Sequence, residues 1–412
     1  MAKRAAKAKQ THKWAFRARF RHHGFGWKSK LPVKRVKEAV SEIKKVARTD
    51  EVLAAEGAVL FLEKVSPAIE HVDSSSGSMG TAVNNAVHAL APIIGQAPAD
   101  PQTRDAWLDR LWEAYQADAM PYLESLGDCW GELCASKEAA SRWADELLGP
   151  CKETWSGDSG RFGYFKGTIP CLSALLAAER YTEIVELLDM APVDMWFYRK
   201  YGVKAFSALG KKAEAIRYAE EGRGINDSPA AVAQACEEVL LSSGLVDEAY
   251  RRYALQANQA TTYLAWFRAI AKKYPHKDPS EILKDLVEHT PGEEGKWFAA
   301  AKSAKLFDEA IALANRSPCS PQTLTRAARD FAEKNPPFAA EAGMAALYWL
   351  TLGYGYEITG ADVWGAYTHT TKAAENAGCA EATQRRIRDL VCRETFGERF
   401  VTRVLGRHLG LS

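Results

Sequence analysis

Apolar residues recur along most of this chain every three or four positions, the spacing of a helix that buries one face, and nowhere alternate with period two for long enough to make a sheet. Val33, Val36, Ala39, Val40, Ile43 and Val46 form such a stripe opposite lysines, and Pro32 can start it. The pattern predicts an amphipathic helix of about four turns. Asp50 has the position of an N-cap for a second helix carrying Val52, Leu53, Ala58, Leu60, Phe61 and Leu62. A Ser/Gly linker over residues 73–80 precedes four predicted helices at 82–94, 103–117, 121–134 and 137–148. Turn-formers from Ser156 to Gly163 mark a boundary, and Pro229, Pro275, Pro279, Pro291, Pro318 and Pro321 punctuate the helices that follow. Residues 384–408 set Ile387, Leu390, Val391, Phe400, Val401, Val404 and Leu405 against seven arginines, which predicts one amphipathic capping helix.

Within this helical pattern one phrase repeats. Leu209-Gly210-Lys211-Lys212-Ala213-Glu214-Ala215-Ile216 is echoed 34 residues later by Ser243-Gly244-Leu245-Val246-Asp247-Glu248-Ala249-Tyr250. Weaker copies begin at Glu179 and at Ala304, so the marker Glu steps by 31, 34 and 61 residues. A helical hairpin cannot bury an apolar face alone, whereas stacked hairpins can, so a period in this range implies a solenoid. The Gly-x-x-x-Glu-Ala turn and its apolar spacing resemble tetratricopeptide repeats over residues 170–335. The Trp, early Leu-Gly pair and closing Pro of that class do not recur in register. The resemblance implies a superhelix with a concave ligand-binding face and assigns no ligand. The fold expected is therefore all-α: a basic N-terminal arm (1–31), a helical bundle or HEAT-like region (32–150), a linker (151–167), a tetratricopeptide-like α-solenoid (168–335) and a C-terminal helical cap (336–412).

Composition narrows the classes. A hydrophobic fraction of 47% with 12 Trp excludes global disorder. No run approaches 18 apolar residues, so no membrane span is expected. The eight cysteines are scattered without a CxxC pair, and the nine histidines form no ligand set; His22-His23 are adjacent, but neighbours on an arm cannot make a metal site by themselves. The expectation is a reduced, cytoplasmic protein with no metal and no cofactor. Net charge changes the picture more. Residues 1–48 hold 16 Lys and Arg against Glu38 and Glu42, a net +14, while the remainder carries −12. The first 37 residues lack any acid, as a mitochondrial transit peptide would, but Ser is scarce there.

Candidate chemistry concentrates in the arm, where Lys13, Trp14, Phe16, Arg17, Arg19, Phe20, Arg21, Trp27, Lys28 and Lys30 interleave cations with rings. Cations neutralise phosphates and rings stack on bases, so nucleic acid is one partner that fits. The rings could instead dock the arm on the body while the cations meet its acidic face; a membrane surface is a third use. Two motifs are false leads. Asp73-Ser74-Ser75-Ser76-Gly77-Ser78 resembles the metal loop of von Willebrand A domains, but the third alternate position is Gly77 and no strand precedes it. Gly157-Asp158-Ser159-Gly160 resembles the nucleophile turn of trypsin-like proteases and lacks its β-barrel context. The ring-rich stretch from Leu347 to Tyr367 reads as core. The function expected is a non-enzymatic helical-repeat scaffold for a protein or peptide segment, with the arm making electrostatic contacts. The alternatives are nucleic-acid binding through the arm and, third, a helical-repeat enzyme acting on nucleic acid. The C-terminal helix could also pair two copies as a homodimer.

Overall fold

Helix α1 (Lys30–Ala47) opens with Pro32 in its first turn, where a missing N–H breaks no helical hydrogen bond. Pro32, Val36, Ala39 and Ile43 form its buried stripe. Asp50 caps α2 (Glu51–Ile69) by accepting the Leu53 N–H at 2.9 Å. The loop beyond α2 is an interhelical connection: the Asp73 carboxylate accepts the Ser75 N–H, and Gly77 takes a φ of 68° that suits glycine. It leads into α3 (Ser78–Gln96), and Asp100 then caps α4 (Pro101–Ala117). In this computed structural model the residues described are 12–156, 163–222, 224 and 227–411. Among them the fold is all-helical, with no strand, and successive helices pack on near neighbours in sequence. None is long and apolar enough to cross a membrane. The protease-like Gly157-Asp158-Ser159-Gly160 and residues 1–11 of the arm lie outside the described residues.

The chain divides into two compact units, Met1–Ser228 and Pro229–Ser412. One apolar core runs through the first, from Trp14 to Ala205, centred on α2 and α3 and on Trp107, Trp130 and Trp143. The predicted 121–134 helix is two short ones, Glu124–Asp128 and Trp130–Cys134. The second of these packs closely: a Cβ on Gly131 would lie 2.4 Å from the Ser173 carbonyl oxygen. Helix Lys137–Trp155 outruns its predicted end because Leu147, Cys151 and Trp155 continue its buried stripe past Pro150. In the second unit the predicted 384–408 helix is interrupted between Ala380–Cys392 and Phe400–Leu409. Glu394 turns inward there and accepts the Val401 and Thr402 N–H groups, closing the N-terminus of the last helix.

The repeated phrase corresponds to one repeated turn. Glu179, Gly210, Gly244 and Lys305 all adopt the left-handed conformation, with φ of 59°, 77°, 74° and 63°. Each is closed by the same two hydrogen bonds, for example Gly244 N–H to Leu241 O and Leu245 N–H to Leu240 O, the pattern of a Schellman cap. Gly378 (φ 70°) makes a fifth such turn, between Gly360–Asn376 and Ala380–Cys392. The glycines pay no Cβ penalty there, whereas Glu179 and Lys305 do.

No atom lies within 4 Å of a Cβ placed on Gly244, so a substitution there acts through backbone strain alone. Gly244→Ala should destabilise its unit by about 1 kcal/mol, and Lys305→Gly should stabilise it by roughly 0.5–1 kcal/mol. Urea denaturation of the two full-length variants checks both signs; equal midpoints would remove the turn from the account.

Candidate nucleic-acid interface

Residues 12–29, the described part of the arm before α1, do not extend into solvent. They fold in short turns, with Arg19 and Phe20 N–H groups both bonded to the Phe16 carbonyl, and lie on α2. Three rings anchor them. Trp14, Phe16 and Phe20 are buried at 6%, 1% and 1% exposure. Phe16 and Phe20 meet Phe61 of α2 edge-on, at centroid distances of 5.6 and 5.1 Å. Trp14 occupies the space a side chain at position 57 would fill: a Cβ on Gly57 would stand 2.1 Å from its ring. These three rings are core, and in this arrangement no base can stack on them. Phe25 is half-buried against Phe20, and Trp27 stands 71% exposed.

The cations take the other side. Lys13, Arg17, Arg19, Arg21, Lys28 and Lys30 are all exposed. The two carboxylates of the region are already engaged. Glu38 accepts from Arg19 at 2.9 Å and Arg35 at 2.6 Å; Glu42 accepts the Ala15 N–H at 2.8 Å. The hydrogen bond from Arg35 holds the Glu38 carboxyl below the ordinary range, and the charges of Arg19 and Lys34 add to it. Glu38 therefore stays ionised at neutral pH, and its grip on Arg19 is lost as pH falls through that lowered value.

What the sequence reading missed is the continuation along α1. Lys30, Lys34, Lys37, Lys44, Lys45 and Arg48 line the face opposite the buried stripe, over roughly 27 Å at 1.5 Å per residue. Their signal was present as lysines opposite an apolar stripe, the ordinary mark of a solvated face. Among the described residues Lys13, Arg17, Arg21, Lys28, Lys30, Lys37, Lys44, Lys45 and Arg48 make no ion pair. A groove of about 950 Å³ lies between residues 12–13 of the arm and the end of α1, lined in part by Lys13, Lys45 and Arg48. Its carboxylates, Glu42 and Asp50, accept the Ala15 and Leu53 N–H groups.

Catalytic chemistry finds less support. Among the described residues the buried carboxylates are Asp118, Glu237 and Glu394, and each is occupied by donors. Burial pushes the Asp118 carboxyl up, but its oxygens accept from Ser66 Oγ and the Leu123 N–H. Glu237 accepts from Asn258, Lys273 and Tyr274. A cavity of about 480 Å³ holds Asp128, whose oxygen accepts from Lys200 at 2.5 Å and Tyr201 at 2.8 Å. In the C-terminal ring cluster Trp349 is core and donates to the Ala314 carbonyl, while Tyr356 and Trp364 are exposed at 79% and 40%.

Gly57→Ala should displace Trp14 and destabilise the first unit by about 1–3 kcal/mol through overpacking. The readout is faster trypsin cleavage at Lys13 and Arg17. Gly149→Ala, at a helical glycine with nothing within 4 Å, is the control and should be neutral or slightly stabilising. Unchanged cleavage in Gly57→Ala would mean that the ring contact does not hold the arm.

No protein-family model matches this chain, and no curated protein matches it.

Proposed function

We propose that this protein is a non-enzymatic helical scaffold whose N-terminal unit grips a nucleic-acid phosphate backbone. One observation carries the reading: nine cations without a carboxylate partner stand on a layer whose rings are locked into the core. Ring burial fixes the backbone that carries the arm's cations, so chiefly side-chain freedom is lost on meeting phosphates, and each phosphate neutralised releases counterions. The buried rings serve as anchors in this reading, so recognition is through charge and the shape of the backbone. Trp27 is the ring placed to stack on an exposed base.

A second contact, to a protein or peptide segment, is favoured by two features. The recurring left-handed turns at 179, 210, 244, 305 and 378 suit a tetratricopeptide-like array. Met190, Val193, Met195 and Phe197 also form an exposed apolar run of 36–45% each in the first unit.

Deleting residues 1–30 is a poor test, since it would remove three core rings. Charge reversal at Lys13, Arg17, Arg21 and Lys28, all exposed, leaves the core intact. Binding of labelled single- and double-stranded oligonucleotides to full-length protein is measured by anisotropy against salt. The expected log–log slope is about −0.7 per phosphate contact for single strands and about −0.9 for duplex. The fourfold Lys/Arg→Glu variant should bind at least about tenfold more weakly, with a shallower slope. Affinity indifferent to salt, or equal in the variant, would sink the nucleic-acid reading.

A further inference from the structure

The end of α2 gathers chemistry that the cationic layer does not use. His22 and His23 of the arm arrive there beside Glu70 and His71, which follow the helix's last turn. One ligand atom from each of His22, His23 and Glu70 lies within 4.8 Å of the other two. His23 Nδ1 is 3.9 Å from Glu70 Oε2. The His22 ring stands edge-on to His23 at 3.7 Å, and the His71 ring stacks on His23 at 4.2 Å.

This meeting depends on the backbone. His23 adopts a left-handed φ of 51°, which costs a residue with a Cβ roughly 1–2 kcal/mol. Its N–H donates to the Pro67 carbonyl at 3.1 Å. On the far side the Asp73 N–H donates to the Trp27 carbonyl at 2.8 Å. The histidine pair is thus held between two backbone ties to the region where α2 ends.

We propose that His22, His23 and Glu70 bind a first-row divalent transition-metal ion, Zn²⁺ being the best fit, which staples the arm to the end of α2. Two imidazoles and one carboxylate suit borderline ions; Mg²⁺ and Ca²⁺ take mostly oxygen ligands, and one carboxylate serves them poorly. Zinc holds such ligands at about 2.0–2.2 Å in tetrahedral geometry, which places ligand atoms roughly 3.3–3.5 Å apart. Exposed side chains must therefore close by about an ångström, within the reach of rotamer adjustment. His71 need not ligate: its ring stacks on His23 and limits rotation of that ring. The carbonyl end of α2 adds a favourable field for a cation, against the unfavourable field of the basic arm. The remaining coordination position opens to solvent. None of the nine free cations is a ligand, so this site stands or falls separately from the phosphate reading.

The test uses full-length protein stripped with a chelator and a Cys392→Ser background, because Cys392 is the exposed thiol. Zn²⁺ is titrated by calorimetry, and Cu²⁺ is followed by electron paramagnetic resonance. The proposal expects one Zn²⁺ per chain and nitrogen hyperfine splitting from two imidazoles. His22→Gln and His23→Gln together should weaken Zn²⁺ binding by at least about tenfold, as should Glu70→Gln, while His276→Gln changes nothing. Zn²⁺ should also slow trypsin cleavage at Arg21 in the parent and not in Glu70→Gln. The variants alter exposed side chains, so their unfolding in chelator should match the parent, which separates lost binding from lost folding. A Zn²⁺ affinity shared by the parent and both sets of variants, or a copper spectrum without nitrogen, would overturn the site.

Discussion

The seating of Trp14, Phe16 and Phe20 on α2 is the contact on which the N-terminal unit's character depends. It needs a glycine at position 57, because a Cβ would stand 2.1 Å from the Trp14 ring, and it needs Phe61 to receive two rings edge-on. Burying rings of this size is worth several kcal/mol. That gain offsets the cost of holding a strongly basic segment together. Without the rings, residues 12–29 would be a solvated polycation; with them, the backbone that carries the cations has a fixed place.

Fixing the cations also determines what they face. The body carries an excess of acid, and a simple electrostatic argument would fold the arm onto it. The structure takes half of that route. Its rings dock, but of the arm's exposed cations Arg19 pairs with a carboxylate, and that carboxylate, Glu38, belongs to α1 within the same basic region. Burial of apolar surface, which is short-ranged and insensitive to sign, decides where the arm lies. Charge then decides what the exposed side is suited to meet.

How much of this could be read from the chain depends on how far apart the interacting residues lie. The caps at Asp50 and Asp100 and the left-handed turns at Gly210 and Gly244 are local, and the residue types announce them. Glu179 and Lys305 do not announce a left-handed residue by type, yet alignment with the glycine copies puts them in register. The break before Phe400 was hidden because the apolar positions on both sides fit one helical phase; Phe396 and Gly397 were the available warning. The ring anchors could not be separated from a stacking platform, since Gly57 and Phe61 are some forty residues away in sequence. The same distance hid the meeting of His22 and His23 with Glu70. Local rules read well here; pairings across loops do not.

The crowding of like charge has a thermodynamic consequence. Among the described residues nine cations of α1 and the arm have no ion pair, and they repel one another over distances comparable to the screening length, about 8 Å at physiological ionic strength. The docked layer therefore carries a repulsive strain that ring burial outweighs. In the reading proposed above, a polyanion laid across it would remove that strain as well as releasing its own counterions, and so would bind the docked form better than an undocked one. By linkage, binding and docking would then favour each other: whatever loosened the rings would weaken the grip, and whatever occupied the cations would tighten the rings. On that reading the buried aromatic residues belong to the binding device through the backbone they hold in place.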